Sequence, residues 1–251
     1  VDLGLSNKAV VITGASRGIG RAAALAFAAE GAHLAICARG KAALEAAAGE
    51  LRTRGAKVFA QSCDVAIAAE LDAFLDGAHA ALGRVDVLVN NATGFGTSDD
   101  EAGWKKSFDV DVMASVRATW KVVPWMTAQG GGVVLHIAST SALEAGSPPP
   151  YAAAKAALVS HSKTLAIALA PEKIRVNVIA PGSIEFPGGV WETIKKANRP
   201  FYDATLSTIP WGRLGSAEEV ANAVVFAASP RASWITGVVL SVDGGQHKGN
   251  L

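Results

Sequence analysis

Ala9-Val10-Val11-Ile12-Thr13-Gly14-Ala15-Ser16-Arg17-Gly18-Ile19-Gly20 is the stretch on which the fold turns. A short apolar run suited to a buried strand ends in a glycine-rich turn. An alanine-rich helical pattern, Ile19–Glu30, follows at once. Alanine favours helix and allows close packing on a sheet. Glycine at 14, 18 and 20 permits a tight turn and close approach of the backbone to a phosphate, and the first N–H groups and dipole of the next helix favour an anion. Ser16, Arg17 and Ile19 share that loop. Strand before and helix after are the context that a dinucleotide-binding turn requires; the plain alternative is a turn and nothing more.

Working outward, the same alternation repeats. Strands are predicted at Ala9–Thr13, His33–Ala38, Lys57–Ser62, Val85–Asn90, Val133–Ser139, Arg175–Ala180 and Val238–Val242. Helices are predicted at Ile19–Glu30, Leu44–Arg54, Ala68–Leu82, Glu101–Ala128, Tyr151–Ala170 and Ala217–Ala228. Most strands are rich in Val, Ile and Leu on both faces, as in a parallel sheet covered on each side. The expectation is an α/β Rossmann-type fold, a doubly wound sheet of about seven parallel strands with helices on both faces. With no repeat, linker or charge block, residues 1–251 form one predicted domain. One stretch breaks the rhythm: Pro181–Arg213 holds four prolines, several glycines, and Phe186, Trp191, Phe201, Tyr202 and Trp211. It reads as a substrate loop or lid inserted at residues 183–213; the plainer reading is a surface excursion anchored by its aromatics.

The 251 residues carry a net charge of +1, which gives no global attraction to nucleic acid or an acidic membrane surface. No apolar run reaches membrane-spanning length, and no signal segment is evident, so a cytoplasmic protein is expected. Cys37 and Cys63 sit at the ends of apolar runs and read as buried free thiols. The five histidines are scattered without ligand spacing, so no metal site is expected.

The end of the second strand selects the dinucleotide. An acid there would hydrogen-bond the adenosine ribose and repel a 2′-phosphate. The chain has Ile36-Cys37-Ala38-Arg39, with no acid, and the Arg39 fork suits a phosphate dianion. Arg17 is placed to reach the same phosphate. NADP(H) is therefore expected over NAD(H).

Tyr151 and Lys155 are four apart on a predicted helix and share a face. Pro148-Pro149-Pro150 cannot lie inside a helix, which puts Tyr151 in its first turn. A free phenol titrates near ~10 and is a poor base at neutral pH. A nearby ammonium favours its ionised form, so the pair can exchange a proton with a carbonyl or alcohol oxygen. Ser139, at the end of the preceding strand, can hydrogen-bond the same oxygen.

With these residues assembled, the chain resembles the short-chain dehydrogenases/reductases over nearly its full length, and within them the NADP(H)-dependent carbonyl and 3-oxoacyl-carrier-protein reductases. Its glycine loop fits TGxxxGxG and Tyr151/Lys155 fit YxxxK. Asn90-Asn91-Ala92 fits the start of NNAG, and Asp64-Val65 the pair that contacts adenine. Asn177, Pro181-Gly182 and Ile184 fit the segment passing the nicotinamide, and Val242-Asp243-Gly244-Gly245 the C-terminal turn. The resemblance implies Tyr151 as acid/base, Ser139 as the group holding the substrate oxygen, and Lys155 on the nicotinamide ribose. Asn91 and Ala92 line the cofactor. It also implies pairing through the long helices, to a homotetramer or homodimer. The loop from Ser139 to Tyr151 is one residue shorter than the family's usual.

Three positions depart from that pattern. Asp111 stands where the family has a catalytic Asn whose backbone carbonyl helps hold a water linked to the Lys. Thr93 replaces the Gly of NNAG, and Phe186 replaces a Thr that meets the nicotinamide carboxamide. Phe95, Leu143, Glu144, Phe186, Trp191 and Tyr202 are expected to wall the substrate pocket, suiting a fairly hydrophobic ketone or secondary alcohol; Glu144 is a polar selector or simply an exposed acid. The leading function is hydride transfer between NADP(H) and such a small molecule. A 3-oxoacyl-carrier-protein reductase, with Lys195, Lys196 and Arg199 meeting an acidic carrier, is the near alternative. An NADP(H)-binding sensor or scaffold with little turnover is the alternative of another class.

Overall fold

The structure, a computed structural model, describes residues 2–249; residues 1, 250 and 251 of the expected 1–251 span lie outside the described residues. Seven strands form one sheet: β1 (Ala9–Thr13), β2 (His33–Ala38), β3 (Val58–Ser62), β4 (Val87–Asn90), β5 (Gly132–Ile137), β6 (Ile174–Pro181) and, last in the chain, β9 (Val239–Val242). Their order is β3-β2-β1-β4-β5-β6-β9, and every pairing is parallel. Among the inner strands, β1 and β4 are buried at every residue, and β5 and β6 at all but one each. A strand apolar on both faces is stable only when helices cover both faces.

They do. The helices α1 (Gly18–Ala29), α2 (Lys41–Thr53) and α9 (Ala217–Ala228) pack on one apolar cluster containing Val10, Ile12, Phe27, Leu34 and Val224. The helices α3 (Ala68–Leu82) and α5 (Ala114–Ala128) close the other face around Val11, Phe74, Leu88, Val122 and Val134. The chain leaves β1 in one direction and β4 in the other, so the crevice between their C-terminal ends is the topological switch point where open α/β sheets bind ligands.

The long helix expected at Glu101–Ala128 is interrupted. It runs as α4 (Glu101–Ser107), one turn of π-helix (Phe108–Met113), and α5. A π turn widens the helix locally and turns one residue inward; here Asp111 is the buried one. The helix α6 (Pro149–Leu169) begins on the proline run, whose fixed φ suits a first turn. The strand expected to end at Ser139 stops at Ile137, and Ser139 instead caps a short 3-10 turn, Thr140–Ala142.

The stretch after β6 is an excursion with its own order. A short pairing joins β7 (Ile184–Glu185) to β8 (Gly215–Ser216), enclosing α7 (Val190–Ala197) and α8 (Arg199–Ser207). Tyr202, Ile209 and Leu214 form a small separate core there. Among the described residues no helix is long and apolar enough to cross a membrane.

Candidate active site

A cleft of about 1490 Å³ runs along the C-terminal ends of the strands. It exceeds the ~300–1,000 Å³ usual for one small ligand, and its walls divide into two halves. One half gathers Gly14, Ser16, Arg17, Ile19 and Gly20 with Arg39, Asp64, Val65, Asn91 and Ala92. The other brings Ser139, Tyr151 and Lys155 beside Phe95, Glu144, Pro181, Gly182, Ile184, Phe186 and Trp191.

The glycine loop is clamped to β4 from both sides. Asn91 donates its side-chain amide to the carbonyls of Thr13 (2.9 Å) and Gly14 (3.1 Å). The Thr13 hydroxyl accepts the N–H groups of Asn91 and Ala92 at 3.0 and 3.1 Å. A side chain at position 20 would run into the Asn91 amide and the Gly14 carbonyl, so only glycine allows this approach. Among the described residues no side chain caps the N-terminus of α1, and its first turn carries no acid. Its leading N–H groups are thus left for an anion. This cradle fits the diphosphate of a dinucleotide.

Arg39 lines the glycine-loop half of the cleft, and no carboxylate pairs with it among the described residues. Arg17 departs from its expected role beside it: its guanidinium donates to the Gly188 carbonyl of the excursion at 3.0 Å. Phe186 lies over the same spot. Gly18, at φ +54°, leaves room for that ring, whose nearest atom would be 2.6 Å from an added Cβ. Gly18 itself is consequently absent from the cleft wall.

Behind Tyr151 the chemistry is more unusual. The Lys155 ammonium is 2 % exposed and reaches the Ile137 carbonyl at 2.8 Å and the Asp111 carboxylate at 2.8 Å. Burial alone would lower its pKa; the facing Asp111 carboxylate, Tyr151 and the hydrogen bond to Asp111 together outweigh burial, and the net direction is upward. The second Asp111 oxygen accepts the Gly94 N–H at 2.9 Å, and its backbone carbonyl accepts the Ser115 hydroxyl at 2.7 Å. The carbonyl that the resemblance assigned to a water is therefore engaged, and Asp111 meets the lysine through its side chain. Lys155 Nζ lies 5.6 Å from the Tyr151 ring centre, and Phe95 packs edge-on against that ring at 4.9 Å.

Two expected wall residues are elsewhere. Tyr202 is turned into the excursion's own core, its hydroxyl donating to Glu185 at 2.6 Å. Leu143 follows the 3-10 turn and does not face the cleft. In their place stand Ser141, Ser147, Ile194, Phe201, Thr205 and Gln246. Phe201 stacks on Trp191 with ring centres 6.1 Å apart. Gln246 locks the segment after β6: its side-chain oxygen accepts the Ser183 N–H at 2.8 Å. Of these, Phe201 announced itself in the sequence as an aromatic in the proline-rich excursion. Cys37 and Cys63 are buried free thiols, and the hydrogen bond between them, with burial, raises the Cys37 pKa.

A family model described as Enoyl-(Acyl carrier protein) reductase matches residues 14–247. The 7alpha-hydroxysteroid dehydrogenase of Escherichia coli (strain K12) is 35 % identical over 249 residues, 97 % of this chain and 96 % of that one. The 3-oxoacyl-acyl-carrier-protein reductase FabG of Thermotoga maritima is 36 % identical over 250 residues, covering 96 % and 98 %. In three dimensions, L-sorbose reductase from Gluconobacter frateurii, solved with NADPH and L-sorbose, superposes with a TM-score of 0.91 at 38 % identity, covering 99 % and 100 %. A 7 alpha-hydroxysteroid dehydrogenase solved with NADH and 7-oxo glycochenodeoxycholic acid also gives 0.91, at 35 % identity, covering 97 % and 96 %.

Proposed function

Since the chain belongs to the short-chain dehydrogenase/reductase family and is an oxidoreductase acting on CH–OH groups, we propose that it reduces a fairly hydrophobic ketone, or oxidises the matching secondary alcohol, with NADP(H). The observation that carries this reading is one cleft holding an uncapped glycine cradle at one end and Ser139, Tyr151 and Lys155 at the other.

Gly14, Ser16, Ile19, Gly20, Asn91 and Ala92 would hold the diphosphate and nicotinamide side, and Asp64 and Val65 the adenine. Arg39 would take the 2′-phosphate. When bound, the cofactor supplies or accepts the hydride. Ser139 holds the substrate oxygen, and the Tyr151 hydroxyl gives or takes its proton. Lys155, anchored on Ile137 and Asp111, sets its charge beside that phenol. Phe95, Trp191 and Phe201 supply apolar surface, which favours a hydrophobic substrate over a free sugar. The excursion at 183–213 acts as the lid, joined to the glycine loop through Arg17 and Phe186.

We also propose a homotetramer: Trp120 on α5 and Ile167 on α6 are 65 % and 70 % exposed, and large apolar groups on neighbouring helices suit a second copy. The carrier-protein alternative draws little from the lid's basic residues, because Lys195, Lys196 and Arg199 are paired with Glu185, Glu192 and Asp203.

The test is a panel of carbonyl compounds (cyclohexanone, acetophenone and a 3-oxoacyl thioester) with NADPH oxidation as readout and NADH as control. Tyr151→Phe should lose about 10²–10⁴-fold in turnover, the usual share of a positioned acid/base, while still binding NADPH. Equal activity in that variant would dismiss Tyr151 as the proton donor, and NADPH binding by the parent without turnover of any compound would revive the sensor reading.

A further inference from the structure

We propose that Ser147, acting through Ser141, turns the Ser139 hydroxyl toward the substrate oxygen. This rests on the reading that Ser139 holds that oxygen. Three seryl hydroxyls line the cleft in a row. The Ser147 hydroxyl donates to Ser141 Oγ at 2.7 Å, and Ser141 Oγ lies 3.1 Å from Ser139 Oγ. The Ser141 N–H also donates to Ser139 Oγ, at 3.1 Å.

A hydroxyl has one hydrogen to give and two sites to receive. With no substrate, Ser139 can spend its hydrogen on Ser141. Once a carbonyl oxygen arrives, the row has a better arrangement. Ser147 donates to Ser141, Ser141 donates to Ser139, and the Ser139 hydrogen is left for the substrate. Each donation in such a chain polarises the next hydroxyl and strengthens its own donation. The Ser147 end of the row is held stiffly. Residue 147 precedes three prolines, which confines it to extended backbone and ties it through a rigid segment to Tyr151. The loop from Ser139 to Tyr151, shorter by one residue than the family's usual, folds back so that Ser147 meets the 3-10 turn carrying Ser141. Ser147 is thus a positioning residue, one that acts on the substrate oxygen through Ser141 and Ser139.

The experiment is steady-state reduction of the three panel compounds with NADPH by the parent, Ser147→Ala and Ser147→Thr, with NADPH affinity measured by fluorescence and the melting temperature recorded. Loss of about one hydrogen bond should lower kcat of Ser147→Ala about ten-fold, with KM, NADPH affinity and melting temperature unchanged. Ser147→Thr, which restores the hydroxyl, should restore kcat. An unchanged kcat in Ser147→Ala, a rise in KM alone, or no recovery in Ser147→Thr would overturn the relay while leaving the reductase reading in place. Failure of the parent to reduce any of the three would overturn that reading, and the relay with it.

Discussion

The Asp111 carboxylate and the Lys155 ammonium lie 2.8 Å apart, at 0 % and 2 % exposure, so water screens neither charge. Such a pair is costly to break because the survivor is left buried and unpaired. Asp111→Ala should therefore destabilise the fold by about 3–5 kcal/mol, seen as a lower midpoint in denaturant unfolding. Asp111→Asn keeps the shape and removes the charge. Burial then dominates at Lys155 and pulls its pKa down, where the native pair holds it up. A lysine must stay charged to act on Tyr151, so activity in Asp111→Asn should fall off at a lower alkaline pH than in the parent. Rate profiles across the alkaline range read this directly. Superimposable alkaline limbs would show that the carboxylate has no such part.

Arg39 and Arg17, both expected at the 2′-phosphate, differ in what they touch. Arg17 donates to the Gly188 carbonyl, whereas Arg39 lines the glycine-loop half of the cleft with no carboxylate partner among the described residues. Arg39→Asp should shift preference from NADPH towards NADH by at least about ten-fold in kcat/KM, the size of a hydrogen bond to a charged group. Arg17→Ala should leave the NADPH/NADH ratio nearly unchanged and alter KM for the carbonyl compound instead, through the loosened excursion. If both variants changed the cofactor ratio alike, the contact with Gly188 would not persist with cofactor bound.

The glycine loop, Tyr151 and Lys155 were legible in the sequence because each depends on local spacing: a turn between a strand and a helix, and one helical turn between two side chains. The sheet followed from runs apolar on both faces. What local spacing could not carry was orientation. Tyr202 looked like pocket wall, yet a helix of nine residues presents several faces, and the hydrogen bond to Glu185 turned this one inward. The π turn at Phe108–Met113 escaped because one wider turn barely alters the apolar period of a long helix. Asp111 is the buried residue of that turn, and its carboxylate meets Lys155 directly. The departure from the family's usual Asn, and a carboxylate near Lys155 that raises its pKa, followed from the resemblance; the direct 2.8 Å contact did not.

His136, on β5 next to the Lys155 contact at Ile137, gives the acid behaviour of the fold. It is wholly buried, with its Nδ1 3.3 Å from the Asn90 amide and its ring 5.7 Å from that of His161. Burial first, then the charges of His161 and Lys155, lower its pKa from 6.5 to about 3. Burial lowers that of His161 as well. Below pH 6.5 the unfolded chain gains a proton at His136 that the folded chain refuses until about 3. Stability must therefore fall as pH drops through that window, by up to about 1.4 kcal/mol per pH unit for one such group. Carboxylates act later: Glu219, paired with Arg213, has its pKa lowered from 4.5 to about 2, so its contribution is lost only below 4.5. The interval from 6.5 down to 4.5 thus isolates His136 and the half-buried His161. Unfolding free energy from urea titrations in steps across that interval should decline in the parent, and the decline should flatten in His136→Asn, whatever that variant costs at neutral pH. Equal slopes in the two proteins would mean that His136 titrates normally in the folded chain.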